Sequence, residues 1–121
     1  MLNVDRVLIV NDSEDIRNMI LTNLNRGDCE AKGSKTRDAA MEILETGWAA
    51  DLILLDYHMP GMSLTLFLRK MLDLGTFSVP RIVLMTAAHD ADKFARKLGI
   101  PEVLRKPFDA SNILREIADC R

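Results

Sequence analysis

Four places in this chain put a polar residue where a candidate strand stops. Asn11 and Asp12 follow Val7-Leu8-Ile9-Val10, and Asp56 follows Leu52-Ile53-Leu54-Leu55. Thr86 follows Ile82-Val83-Leu84-Met85, and Lys106 follows Val103-Leu104-Arg105. Brought together, two carboxylates, a hydroxyl and an ammonium would suit a divalent cation and a phosphoryl group. Mg²⁺ takes oxygen ligands and keeps several waters, so one or two carboxylates are enough to hold it. A Lys and a Thr supply the donors that phosphoryl oxygens require. An Asp carboxylate can itself be the nucleophile and become an aspartyl phosphate. In-line phosphoryl transfer then needs little more than positioning and charge neutralisation.

Taken singly, each residue also has an ordinary structural role. Asp12 alone reads as a helix N-cap and Asp56 as a turn residue. Thr86 alone reads as a strand-end hydroxyl bonded to backbone, and Lys106 as a solvated lysine. The chemical reading rests on their convergence, and so on the elements that carry them.

Those elements follow from periodicity. Val7–Val10 and Leu52–Leu55 are unbroken apolar runs, the pattern of strands buried on both faces. Asp12 or Ser13 can cap a helix with Ile16, Met19, Ile20 and Leu24 at helical spacing, and Gly27 stands where a C-cap glycine would. Residues 30–34 are a polar strand with a Gly, which suits a sheet edge. Thr36–Glu45 reads as a helix, with Ala39, Ala40, Ile43 and Leu44 apolar, and Trp48 packs near its end. After Asp56, Pro60-Gly61 suits the centre of a type II turn. Leu64, Phe67, Leu68, Met71 and Leu72 form the stripe of a third helix, stopped near Gly75.

Residues 81–85 are a fourth strand ending at Thr86, and residues 90–98 a short helix ended by Gly99. Residues 101–105 are a last, edge-like strand, and residues 109–119 a final helix on Ile113, Leu114 and Ile117. Five strand–helix repeats predict an α/β domain with a parallel sheet and helices on both faces. All C-terminal strand ends then lie on one side, where ligands bind in open α/β sheets.

Composition excludes other classes. The 121 residues fit one domain, 1–121, with 48% hydrophobic and 28% charged residues. Sixteen basic against 18 acidic residues and no Lys/Arg run give no reason to bind nucleic acid directly. Cys29 and Cys120 are far apart and form no C-x-x-C pair, which fits a reduced, cytoplasmic chain. The first residues lack a signal peptide's basic start and apolar core, and no run is long enough to cross a membrane. The methionines at stripe and strand positions, Met19, Met41, Met71 and Met85, read as core filling. The acidic turn Asn11-Asp12-Ser13-Glu14-Asp15 is unlike the Gly-rich cradle of a nucleotide site.

Together, Val7–Asp12, Leu52–Gly61, Val83–Ala87 and Leu104–Phe108 resemble the receiver domains of two-component response regulators, over essentially the whole chain. In size it is closest to the stand-alone members. The resemblance implies a flavodoxin-like, doubly wound (βα)5 fold with a five-stranded parallel sheet in the order 2-1-3-4-5. It also implies that Asp56 is the phosphoacceptor, Asp12 a direct Mg²⁺ ligand and the His58 backbone carbonyl a further one. Thr86 and the backbone N–H of Ala87 would bind phosphoryl oxygens. Lys106 would pair with Asp56 before phosphorylation and with the phosphoryl group after it, ahead of a cis peptide to Pro107. The donor would be a histidine kinase or phosphotransfer protein. A downstream target protein would bind at the fourth helix, fifth strand and fifth helix.

The chain departs from the family pattern at Asn11, Val103 and the positions that tune phosphoryl lifetime. Asn11 replaces an acidic residue that holds the metal through water, so a functional but weaker Mg²⁺ site is expected. Val103 stands where a switch Tyr or Phe is usual and has no ring to turn inward. Ala88 is small enough to leave room for an attacking water, and His58 either bonds near the site or faces solvent. Two other functions compete with the switch. One is a degenerate receiver that binds partners without phosphorylation, in keeping with Asn11 and Val103. The other is a small phosphatase, which would need a second acid/base carboxylate beside the nucleophile.

Overall fold

The computed structural model describes residues 6–24, 29–57, 59–74, 80–86, 96 and 102–105, with residues 86 and 102–105 described as backbone. The strands are β1 (Arg6–Val10), β2 (Glu30–Ser34), β3 (Leu52–Asp56), β4 (Arg81–Thr86) and β5 (Glu102–Arg105). The helices among the described residues are α1 (Glu14–Leu24), α2 (Arg37–Glu45) and α3 (Leu64–Asp73). The two helices expected at 90–98 and 109–119 lie outside those residues, as do Gly27 and Gly75.

All four strand pairings are parallel, and the order is β2-β1-β3-β4-β5. The fold expected from the sequence is therefore present, with the polar β2 and the short β5 at the edges. Every residue of β3 is buried, as its unbroken apolar run requires.

Alternation along the strands divides the core into two layers. Leu8, Val10, Ile53, Leu55, Ile82 and Leu84 pack with Ala40, Met41 and Leu44 of α2 and with Leu64, Phe67, Leu68 and Met71 of α3. Val7, Ile9, Leu52, Leu54, Val83 and Met85 pack with Ile20 and Leu24 of α1. The buried methionines fill the core, as expected.

Three details differ from the sequence reading. Leu72 is 61% exposed and does not belong to the buried stripe of α3. The stripe closes at positions 64, 67, 68 and 71, and residue 72 lies about 80° around the helix from Leu64. Thr36 is not the first residue of α2 but its N-cap, in extended conformation, with Oγ1 accepting from the Ala39 N–H. In α2, Met41 is fully buried, while Ala39 and Ile43 are only half-buried.

The β2 edge is covered by charge and by Trp48. The Trp48 indole donates to Glu30, Lys32 lies 5.1 Å from its ring centroid, and Arg6 pairs with Glu30. Charged residues on an edge strand discourage pairing with another chain.

Candidate functional site

β1 and β3 are neighbours, with Val10 opposite Leu55. One residue further on, this register sets Asn11 beside Asp56. Ladder bonds continue past both strand ends: Asn11 N–H donates to the Ser34 carbonyl (3.1 Å), and Tyr57 N–H to the Met85 carbonyl (2.8 Å). On the other side of β3, Asp56 pairs with Met85, so Thr86 stands one step beyond it on β4. Backbone register thus brings Asn11, Asp12, Asp56 and Thr86 to one edge of the sheet. The side chain of Thr86 lies outside the described residues, as do His58, Ala87, Ala88 and Lys106. Val103 is described as backbone in β5.

The turn after β1 separates the two roles open to Asp12. Ser13 is the cap of α1: its carbonyl accepts the Arg17 N–H (3.0 Å) and its Oγ accepts the Ile16 N–H (3.3 Å). Asp12 is therefore released from capping, and its side chain is exposed above the strand ends.

Asn11 is fully buried. Its Oδ1 accepts the Ser13 N–H at 2.8 Å, which fixes the amide orientation. Its Nδ2 has no hydrogen-bond partner among the described residues. A buried N–H donor without an acceptor is costly.

Asp56 is 1% exposed. Burying a carboxylate is unfavourable unless charge or hydrogen bonds compensate it. One compensating charge is Arg37, the first residue of α2, whose side chain is itself 3% exposed. Its Nη1 donates to the Met62 carbonyl (2.9 Å), and its Nη2 to the carbonyls of Asp56 (3.1 Å) and Tyr57 (2.8 Å). Burial lowers the guanidinium's pKa, and the charge of Asp56 opposes that shift. The next residue, Asp38, accepts the Met62 N–H (3.3 Å). The start of α2 therefore holds the loop between β3 and α3 by both its donors and its acceptors.

That loop turns on Gly61, whose φ is +93°. This is the left-handed region that a glycine accepts freely, as the Pro60-Gly61 pair led one to expect. A Cβ there would lie 2.8 Å from Asp38 Oδ2. Ser63 then caps α3, its Oγ accepting from Leu66 N–H (3.1 Å).

Sequence reasoning identified Asp12 and Asp56 but missed Arg37. An arginine at the first position of a helix reads as a solvated charge, and no periodicity or spacing marks it as buried. The only available signal was a basic residue placed directly after the N-cap, at the helix end where the macrodipole disfavours positive charge.

Oxygen donors from Asp12 and Asp56 fit Mg²⁺, which needs one or two carboxylates and keeps its waters. Among the described residues, no three His, Cys, Asp or Glu side chains gather into a fuller metal cage. No helix of the described residues is long and apolar enough to cross a membrane.

Comparison with known proteins agrees with this geometry. Residues 7–118 match the sequence model of the response regulator receiver domain. The phosphate regulon transcriptional regulatory protein PhoB of Escherichia coli is 30% identical over 115 residues, covering 93% of this chain and 49% of that protein. A protein-glutamate methylesterase/protein-glutamine glutaminase of Caulobacter vibrioides is 30% identical over 116 residues, covering 94% of this chain and 34% of that protein. The chain thus spans half or less of the length of these relatives. Among solved structures, chemotaxis protein CheY4 of Vibrio cholerae superposes with a TM-score of 0.83 at 22% identity, covering 98% of this chain and 99% of that one. A Francisella response regulator receiver domain gives 0.79 at 18% identity, covering 96% and 95%.

Proposed function

The chain belongs to the response regulator receiver family, and on that premise we propose that it is a phosphorylation-controlled signalling switch with Asp56 as its acceptor. The observation that carries this reading is the buried Asp56 carboxylate at the end of the central strand, flanked in register by Asn11 and Thr86. Residues 1–121 are read as one receiver domain, working in the cytoplasm. It acts as a phosphoacceptor rather than as an enzyme on other substrates.

In the proposed reaction, a carboxylate oxygen of Asp56 attacks the phosphorus of a phosphohistidine on a histidine kinase or phosphotransfer protein. The phosphorus–nitrogen bond breaks, and the departing imidazole takes up a proton. Asp12, Asp56 and the His58 carbonyl would hold Mg²⁺, with Asn11 joined through water. Bound there, the ion would neutralise charge on the transferring group. Thr86 and the Ala87 N–H would take phosphoryl oxygens, and Lys106 would pair with the new charge. The burial of Asp56 keeps bulk water away from the nucleophile. The exposed Asp12 leaves one side open to the donor.

The output is a change in affinity for a target protein at the fourth helix, fifth strand and fifth helix. For phosphorylation to matter, the target must bind the two states differently. A second reading, a degenerate receiver that binds partners without phosphorylation, is favoured by the amide at Asn11.

Incubation with a small phosphodonor and Mg²⁺ separates the two. The switch predicts a base-labile, acid-stable phosphoryl adduct that is absent from Asp56→Ala. A folded protein that forms no adduct supports the degenerate reading, and rapid turnover of varied phosphoesters would indicate an enzyme instead.

A further inference from the structure

Arg37 is the buried charge that the reaction described above does not use. Its three hydrogen bonds go to neutral carbonyls of Asp56, Tyr57 and Met62, and its Nε has no hydrogen-bond partner among the described residues. A cation buried without a hydrogen-bonded anion is costly, and the cost is offset only where an opposite charge lies near. One guanidinium nitrogen is 3.1 Å from the backbone carbonyl of Asp56 itself. On the other side of the acceptor, Asn11 supplies an amide where a further carboxylate would have stood, and its Nδ2 points a hydrogen-bond donor into a buried space. Both residues change the local balance in one direction. The strand ends carry an amide at Asn11 in place of a carboxylate, with a buried positive charge at Arg37 beside them.

We propose that Arg37 is the buried counter-charge of Asp56, setting a weak affinity for the divalent cation and favouring the more anionic, phosphorylated state. Its hydrogen bonds to the acceptor loop hold that charge beside the site. The guanidinium fork carries both ends of the loop, residues 56–57 and residue 62, so the charge cannot move away while the loop is in place. A cation at Asp12 and Asp56 is repelled by Arg37 through the low-dielectric interior. A phosphoryl group on Asp56 adds negative charge and is attracted by it. Arg17 provides an internal comparison. It also bonds a strand-end carbonyl, that of Asn11 (2.8 Å), but it is only half-buried, so solvent screens its charge more strongly.

The inference rests on the assignment of Asp12 and Asp56 as the cation site. Its test is Mg²⁺ binding without any phosphodonor, followed through backbone amide shifts in wild type, Arg37→Gln, Arg37→Lys and Arg17→Gln, with far-UV circular dichroism to verify folding. Removing the charge in Arg37→Gln should tighten Mg²⁺ binding roughly five- to tenfold. Arg37→Lys, which keeps the charge and loses the fork, should stay within about twofold of wild type, and Arg17→Gln should change less than Arg37→Gln.

A residue that only tethers the loop would give the opposite pattern, with Gln and Lys both weakening Mg²⁺ through a displaced loop. That result, or equal affinity in wild type and Arg37→Gln, overturns the proposal. If Arg37→Gln does not fold, Arg37→Met, which keeps the apolar stem, takes its place with the same expectation. If no folded version binds Mg²⁺, the metal assignment itself fails and this inference with it. Unchanged affinity in Arg37→Gln beside a wild type that binds overturns this inference alone.

Discussion

At the scale of single residues, charge sets the character of the strand ends. Asp12 and Asp56 could be found in the sequence because each sits where an apolar run stops, and strand ends of a parallel sheet share one edge. The structure adds what the sequence left open: Ser13 does the capping, so Asp12 is available for another role. Asn11 was legible as a departure, but its geometry was not. Its amide oxygen is held by the Ser13 N–H, and its Nδ2 is a buried donor without a partner among the described residues. Asn11→Asp should therefore tighten Mg²⁺ binding by about 1–2 kcal/mol, on the order of tenfold, in a direct titration. Equal affinity in the two proteins would remove Asn11 from the site. Arg37 was not legible at all. Whether a helix-start arginine faces solvent or turns under a loop is decided by the position of residues some twenty positions away.

At the scale of elements, the acceptor loop depends on both helices that flank it. The central strands followed from unbroken apolar runs, and the helices from a period of about three and a half residues. The errors lay at helix edges, where Thr36 is a cap and Leu72 is outside the stripe. Those edges are set by local hydrogen bonds and by the exact angle of packing, which periodicity does not resolve. Gly61→Ala places a side chain at φ +93° and against Asp38 Oδ2. It should cost about 1–2 kcal/mol in chemical denaturation. Asp38→Ala in the same protein should recover only the contact and not the backbone strain. Phe67, fully buried between α3 and the sheet, anchors the helix that follows the acceptor loop. Phe67→Ala should destabilise the domain by about 3–5 kcal/mol. A loss under about 1 kcal/mol, of the size seen for surface changes, would show that α3 is not held by this packing.

At the scale of the molecule, the sheet order and the two apolar layers place one buried carboxylate at the C-terminal end of the central strand. The sequence carried this architecture because the apolar runs of β1, β3 and β4 are buried and the helices bury one face each. It did not carry the state change. Val103 lies on the edge strand β5 without an aromatic ring to report phosphorylation. A phosphorylation switch in this chain would therefore act through loop and helix movement rather than through a turning ring at position 103.

The central claim is that Asp56 receives a phosphoryl group, and the most direct test is reductive trapping. Treatment with a small phosphodonor and Mg²⁺, then borohydride, converts an aspartyl phosphate into homoserine, which mass spectrometry of the peptide containing residues 52–60 can locate. Homoserine is expected at position 56, dependent on both phosphodonor and Mg²⁺ and absent when either is omitted. Homoserine at Asp12 or another aspartate instead, or none in a folded protein, would contradict it.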